Sequence, residues 1–248
     1  MRIDVLFGAQ HPAPGDLAGR VVAVIDVLRA SSVIATALDH GARAVIPLES
    51  PDEAVTRARA FAREDVLLAG ERRSRPISGF DLGNSPKEFT RARVEGRTIV
   101  MTTTNGTAAL LAISGARDVV IASYVNFTAV LTMLRTALRG GADVVLVCAG
   151  HERQFALEDA ACAGRYVHHL LEGRSGARTN DAAQAAALLH GKFGDDLATL
   201  FDTAAHGQAL AAAGFADDLL ACAAIDAHPV IPVYQDRQIT KLGPERER

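Results

Sequence analysis

The apolar positions of this 248-residue chain gather into short continuous runs, each ended by a polar turn and followed by apolar residues at helical spacing. Val21-Val22-Ala23-Val24-Ile25 is such a run, the pattern of a strand covered on both faces. It stops at Asp26; from Ala30 onward Val33, Ile34, Ala37 and Leu38 recur at helical intervals, and Gly41 closes the helix. The unit returns with a strand over Ala44–Leu48 and a helix from Pro51 to about Ala62, where Ser50 can cap and Pro51 suits the first turn. Further strands are expected over Arg2 to Phe7, Val66–Ala69, Thr98–Met101, Asp118–Ala122, Asp143–Cys148 and, late in the chain, Val230–Val233 alone. Helical spacing marks a short helix from Asn84-Ser85-Pro86 to Phe89, a start at Ala108, Phe127 to Leu138, Ala156 to about Leu171, and Ala-rich pieces from Asp181 to Ala224. Alternating strands and helices imply an α/β fold whose central sheet is largely parallel or mixed and carries helices on both faces. No linker divides it, so residues 1–248 read as one domain with a helix-rich part from about 156 to 224.

Composition narrows the function classes. Hydrophobic residues are 49% and charged residues 22%, which is a globular balance; the tail Gly243 to Arg248 is expected to fray. The net charge of -3, the lack of a basic cluster interleaved with aromatics and the absence of Trp argue against a nucleic-acid partner. Three widely spaced cysteines argue against a disulfide framework, and no apolar run reaches a membrane span; with so polar a start as Met1-Arg2-Ile3-Asp4 this predicts a cytoplasmic protein. The Ala-rich helices after Asp181 have apolar faces that could pack within the domain or against a second copy.

In an open α/β sheet ligands bind beyond the carboxyl ends of the strands, so the residues that interrupt apolar runs there carry the chemistry. These are Asp26, Arg29, Ser31 and Ser32; Glu71, Arg72 and Arg73; the loop Thr102 to Thr107; Ser123 and Asn126; and Cys148, Gly150, His151, Glu158 and Asp159. The loop offers hydroxyls, one carboxamide and backbone N–H groups near a helix start, which is an anion cradle, though an Asn-Gly turn has the same residues for local reasons. Arginines at strand ends fit a phosphate or sulfonate bidentately. Asp26, Glu71, Glu158 and Asp159 are the oxygen donors that Mg²⁺ would need, although Glu158-Asp159 also suits a helix N-terminus for its dipole alone. A phosphatase with a second aspartate two residues after the first is disfavoured by Leu28, no P-loop signature occurs, and the histidines lack zinc-ligand spacing. Cys148 and Cys162 read as buried small apolar residues, and His206-Gly207 as a helix break whose histidine either stays there or reaches the site.

Asp26-Val27-Leu28-Arg29-Ala30-Ser31-Ser32, Gly70-Glu71-Arg72, Gly79-Phe80-Asp81-Leu82-Gly83-Asn84-Ser85-Pro86, Thr102 to Thr107, and Cys148-Ala149-Gly150 with Leu157-Glu158-Asp159 together resemble the 2-phosphosulfolactate phosphatase family, nearly end to end. The resemblance implies a three-layer α/β/α fold and a Mg²⁺-dependent hydrolase of the phosphate ester on a sulfonated hydroxy acid, a step toward coenzyme M. For such an enzyme the strand-end residues Asp26, Arg29, Arg72 and Asn105 are expected to be catalytic. Ser31, Ser32, Asn84, Ser85, Thr103, Thr104, Gly106, Ser123 and Asn126 would contact a small anionic phosphate ester, and a subset of Asp26, Glu71, Glu158 and Asp159 the metal. His151-Glu152-Arg153 departs from the smaller residues expected there, at the far end of the substrate pocket. Two other classes would reuse the same loops: a receptor that binds a small anion without turnover, and a metal-dependent lyase or isomerase of phosphorylated acids.

Overall fold

A strand buried on both faces must feed two cores, and Val21–Ile25 does so residue by residue. Val21, Ala23 and Ile25 pack into one apolar cluster, while Val22 and Val24 pack into another on the opposite side. Val144–Cys148 divides in the same way. The computed structural model describes residues 1–8, 17–104, 110, 113, 115–152, 154–174 and 176–243. The residues Asn105 and Gly106, the helix start at Ala108 and most of the tail fall outside the described residues.

Among the described residues the strands are β1 (Arg2–Leu6), β2 (Val21–Ile25), β3 (Ala44–Pro47), β4 (Val66–Arg72), β5 (Arg75–Pro76), β6 (Thr98–Thr102), β7 (Asp118–Ala122), β8 (Val144–Cys148), β9 (Arg178–Thr179), β10 (Pro232–Gln235) and β11 (Gln238–Lys241). They form one sheet in the order β5-β4-β6-β3-β11-β10-β7-β2-β8-β1-β9. Two parallel sets, β4-β6-β3 and β7-β2-β8-β1, are joined through the antiparallel hairpin β10–β11.

The helices are α1 (Ala30–Asp39), α2 (Pro51–Ala58), α3 (Arg91–Val94), α4 (Phe127–Arg139), α5 (Leu157–Leu171), α6 (Asp181–Phe193), α7 (Leu197–Thr203), α8 (Ala205–Ala212) and α9 (Ala216–Ala223). Helix α1 covers one face of the sheet, whereas α4 to α9 build the core on the other, giving three layers, α/β/α. Ser50 closes a capping box with Glu53 at the start of α2, as its position before Pro51 predicts. Helices α5 and α6 approach so closely that a Cβ on Gly164 would lie 1.9 Å from Ala186 O, so only glycine fits there.

Three expectations need correction. Helix α2 ends at Ala58 rather than near Ala62. The strand expected to end at Ala69 continues through Arg72, because β6 pairs with it as far as Gly70 and the short β5 pairs with Glu71 and Arg72. The late strand is not single: Pro232–Gln235 turns back as Gln238–Lys241, in which Ile239 alone is fully buried, so its apolar signal is one residue deep. No described helix is long and apolar enough to cross a membrane.

Candidate active site

The turn after β2 is built by its own polar side chains. Asp26 N donates to Ser31 Oγ at 2.9 Å, Ala30 N donates to Asp26 Oδ1 at 3.2 Å, and Ser31 Oγ donates to Val24 O. This closed turn holds the Asp26 carboxyl group at the end of the strand as α1 begins.

Asp159, in the first turn of α5, reaches across to fix the same turn. Its Oδ1 accepts from Val27 N at 2.8 Å and its Oδ2 from Gly150 N at 3.0 Å, joining the β2–α1 and β8–α5 connections. Gly150 is required at that point: its φ is +75°, and a Cβ would stand 2.1 Å from Gln154 O. Glu71 organises the other set of strands. Its two oxygens accept from Thr104 N at 2.7 Å and Ser74 N at 2.8 Å, drawing the loops after β6 and β4 together.

These turns converge on one pocket lined by Asp26, Arg29, Glu71, Arg73, Ser74 and Asn84, with Thr103, Thr104, His151, Glu152 and His206 completing the wall. The ends of β2, β4, β6 and β8 thus meet there, although the hairpin stands between the two parallel sets. Asn84 Oδ1 and His151 Nδ1 are buried with no hydrogen-bond partner among the described residues. Such orphaned atoms are costly in a finished interior and suit a ligand's approach.

Burial dominates the electrostatics. The Asp26 carboxyl group is pushed up to about 6 by its removal from water, with Glu71 and Glu158 adding to the rise and His206 and the Ala30 N–H opposing it. Asp159 is raised well above the usual range, first by burial and then by Glu158 and Asp26. Behind the pocket wall Glu158 Oε1 lies 3.1 Å from His206 Nδ1, and the His206 ring stacks on His151 at 4.0 Å. Burial, followed by His206, lowers the affinity of His151 for a proton. Among the described residues no three of Asp26, Glu71, Glu158 and Asp159 bring their oxygens within 4.8 Å of one another. A cation bridging them would therefore keep waters of its own, as Mg²⁺ does.

The other expected site residues divide by location. Arg29 lines the pocket, but its Nη1 donates to Asp218 Oδ2 at 2.6 Å and its guanidinium lies over the Phe215 ring at 4.4 Å. Ser85 Oγ donates to the second oxygen of Asp218. Arg72 points away from the pocket, to Glu49 O, Thr102 Oγ1 and Glu71 O. Ser32, Ser123 and Asn126 are wholly buried and bond the chain itself: Ser32 Oγ to Ser123 Oγ, Ser123 N to Asn126 Oδ1, and Asn126 Nδ2 to Ile121 O and Val230 O. Cys148, Cys162 and Cys222 are free and buried. Sequence reasoning passed over Asp218, because Asp217-Asp218 in a helical first turn reads as an ordinary complement to the dipole.

Fold and pocket together define a class: a three-layer α/β/α enzyme with an acid-lined site where its strands end. The chain belongs to the 2-phosphosulpholactate phosphatase family, whose model matches residues 9–237. That is a family of phosphoric monoester hydrolases. Among similar proteins, one from Symbiobacterium thermophilum named "Probable 2-phosphosulfolactate phosphatase" is 43% identical over 231 residues, covering 93% of this chain and 98% of that one. Proteins of the same name from Gloeobacter violaceus and Caldanaerobacter subterraneus are 41% and 37% identical, covering 84% and 88% of this chain and 85% and 88% of their own.

Proposed function

We propose that this chain hydrolyses the phosphate ester of 2-phosphosulfolactate or a closely related sulfonated or carboxylated acid, in the cytoplasm and with Mg²⁺. The observation that carries the reading is the meeting of Asp26, Glu71 and the unpartnered Asn84 Oδ1 in one pocket with Thr103 and Thr104. A receptor for an anion gains nothing from buried carboxylates, which repel its ligand; a phosphatase needs them for a cation. Asp26, Glu71 and Asn84 are the oxygen donors that would hold Mg²⁺, with Glu158 and Asp159 contributing negative charge from behind. When bound, Mg²⁺ neutralises charge on the phosphoryl oxygens.

The chain's own residues do the rest. Thr103 and Thr104, which follow β6, cradle the phosphoryl group. The Arg73 guanidinium, exposed at the pocket's rim, meets the anionic substrate. Arg29 and Arg72 act through position: Arg29 braces α1 against Asp218, and Arg72 ties the ends of β4 and β6 to the segment after β3. Asp26, held at the end of β2 by the turn it helps to close, positions the attacking water. His151 and His206 close the side of the pocket where a leaving alkoxide can take a proton.

Phosphate release from 2-phosphosulfolactate, measured with Mg²⁺, with EDTA and after Mg²⁺ is restored, tests the reading. Turnover that is lost in EDTA and regained with Mg²⁺ is the expected result. No metal-dependent release from any sulfonated or carboxylated phosphate ester would overturn it in favour of a receptor. The stereochemical course at an isotopically chiral phosphorus separates the two nucleophiles: direct in-line attack by water inverts the configuration, whereas two displacements through a phosphorylated Asp26 retain it.

A further inference from the structure

At the far end of α1 from Asp26, the helix finishes on Asp39 and His40 follows as its cap. His228, in the segment between α9 and β10, closes on both. Its Nδ1 lies 3.0 Å from Asp39 Oδ2, and its ring stands edge-on to that of His40 with centroids 5.1 Å apart. Ligand atoms of the three residues all fall within 4.8 Å of one another, and each residue is half-buried.

One of the three side chains, and the backbone of a second residue, are held in place from outside the cluster. His40 Nδ1 is 2.7 Å from Phe89 O. A carbonyl only accepts, so Nδ1 carries the hydrogen and the lone pair of the neutral ring sits on Nε2. An imidazole whose second nitrogen is fixed by a carbonyl is the form in which histidine binds metals. The His228 backbone is anchored as well, its N–H donating to Val125 O at 2.8 Å. The carbonyl end of α1 adds partial negative charge. Arg91, which reaches this end of α1, spends its guanidinium on the Asp39 carbonyl and on Glu95 rather than on the Asp39 carboxylate.

We propose that Asp39, His40 and His228 form a second metal site, separate from the acid-lined pocket and selective for Zn²⁺ or a similar nitrogen-preferring divalent ion. Two imidazoles and one carboxylate suit such an ion over Mg²⁺, and three protein ligands leave the fourth tetrahedral position to water. Filled, the site clips the end of α1 to the segment that leads into the β10–β11 hairpin. The other cluster with metal-binding residue types among the described residues, His168, His169 and Glu172, lies on one helix and its exposed end; Phe127 and His190 pack against its imidazoles, but among the described residues no hydrogen bond from another element fixes either ring.

The experiment uses the full chain carrying His168→Ala and His169→Ala, so that the exposed cluster is silent, and Co²⁺ as the probe in the presence of millimolar Mg²⁺. One equivalent of Co²⁺ is expected to bind with the visible absorption of a four-coordinate centre and to be displaced by Zn²⁺. Adding His228→Ala or His40→Gln should weaken Co²⁺ binding at least about tenfold while Mg²⁺-supported phosphatase activity stays. X-ray absorption on the protein with both ligands intact counts two imidazoles at the metal and does not depend on how the variants fold. A six-coordinate Co²⁺ spectrum, a first shell without imidazole, or unchanged affinity in folded His228→Ala overturns the proposal.

Discussion

Asp26 carries the strongest conflict between stability and use in this protein. Its carboxyl group titrates near 6 in the fold against an ordinary 3.8, so the folded state binds the proton more tightly than the unfolded chain. Stability from that proton is present in full below the ordinary value and is gone once pH rises through about 6. At pH 7.5 and without divalent cation, Asp26→Asn should therefore unfold at higher temperature than the parent, by up to about 3 kcal/mol, while kcat/KM falls about a hundredfold or more. Calorimetry in EDTA beside phosphate-release kinetics checks both halves; an Asn variant neither more stable nor slower would remove Asp26 from the site. The arginines divide differently. Arg73→Ala should raise KM about tenfold and leave the melting temperature unchanged, whereas Asp218→Ala strands the Arg29 charge in the interior and should cost about 3–5 kcal/mol in denaturant titration. Asp26, Glu71 and Thr103, which line the pocket, were legible in the sequence because each lies within two residues of the end of an apolar run. Asp218 was not, since nothing local distinguishes a helix-start aspartate facing solvent from one facing a buried guanidinium 189 positions away.

At the scale of elements, the strands that could be read were those buried on both faces, where five apolar residues in a row leave little choice. Gln238–Lys241 escaped because an element with one buried side chain has no periodicity to detect. The helices from Asp181 to Ala223 could be read as helical but not as four separate pieces: the breaks at Ala204 and Gly214 lie among alanines that favour no particular boundary, and His206-Gly207, expected to break a helix, lies inside α8. Contact between helices was equally hidden: Gly164 looks like a weak point in α5 until α6 is seen against it. Gly164→Ala improves helix propensity by about 1 kcal/mol, yet the new methyl meets Ala186 O, a backbone atom that cannot turn aside. The net outcome should be a loss of about 1–3 kcal/mol, read as a lower urea midpoint, and a gain in stability would show that α6 moves freely.

For the whole molecule, the two parallel sets of strands depend on one hairpin. Ile239 fills the join, wholly buried against the core that also holds Val45 of β3 and Val119 of β7. Ile239→Ala should cost about 2–5 kcal/mol, and probes placed in either set should report the same shifted transition. Two separate transitions would mean that each set holds by itself. The alternation of strand and helix made the layers legible, but not the seam, because an inserted hairpin leaves both flanking βαβ patterns unchanged. The seam also bears on how the chain is made. Strands β3 and β7 leave the ribosome long before residues 232–241 do, and in that interval each offers an unpaired edge of N–H and C=O groups to the surrounding solution. Aggregation in the cell should thus respond to the interval between β7 and the hairpin more than to the finished protein's melting temperature, and slowing translation across 123–231 should lower the soluble yield of a chain whose mature stability is unaltered.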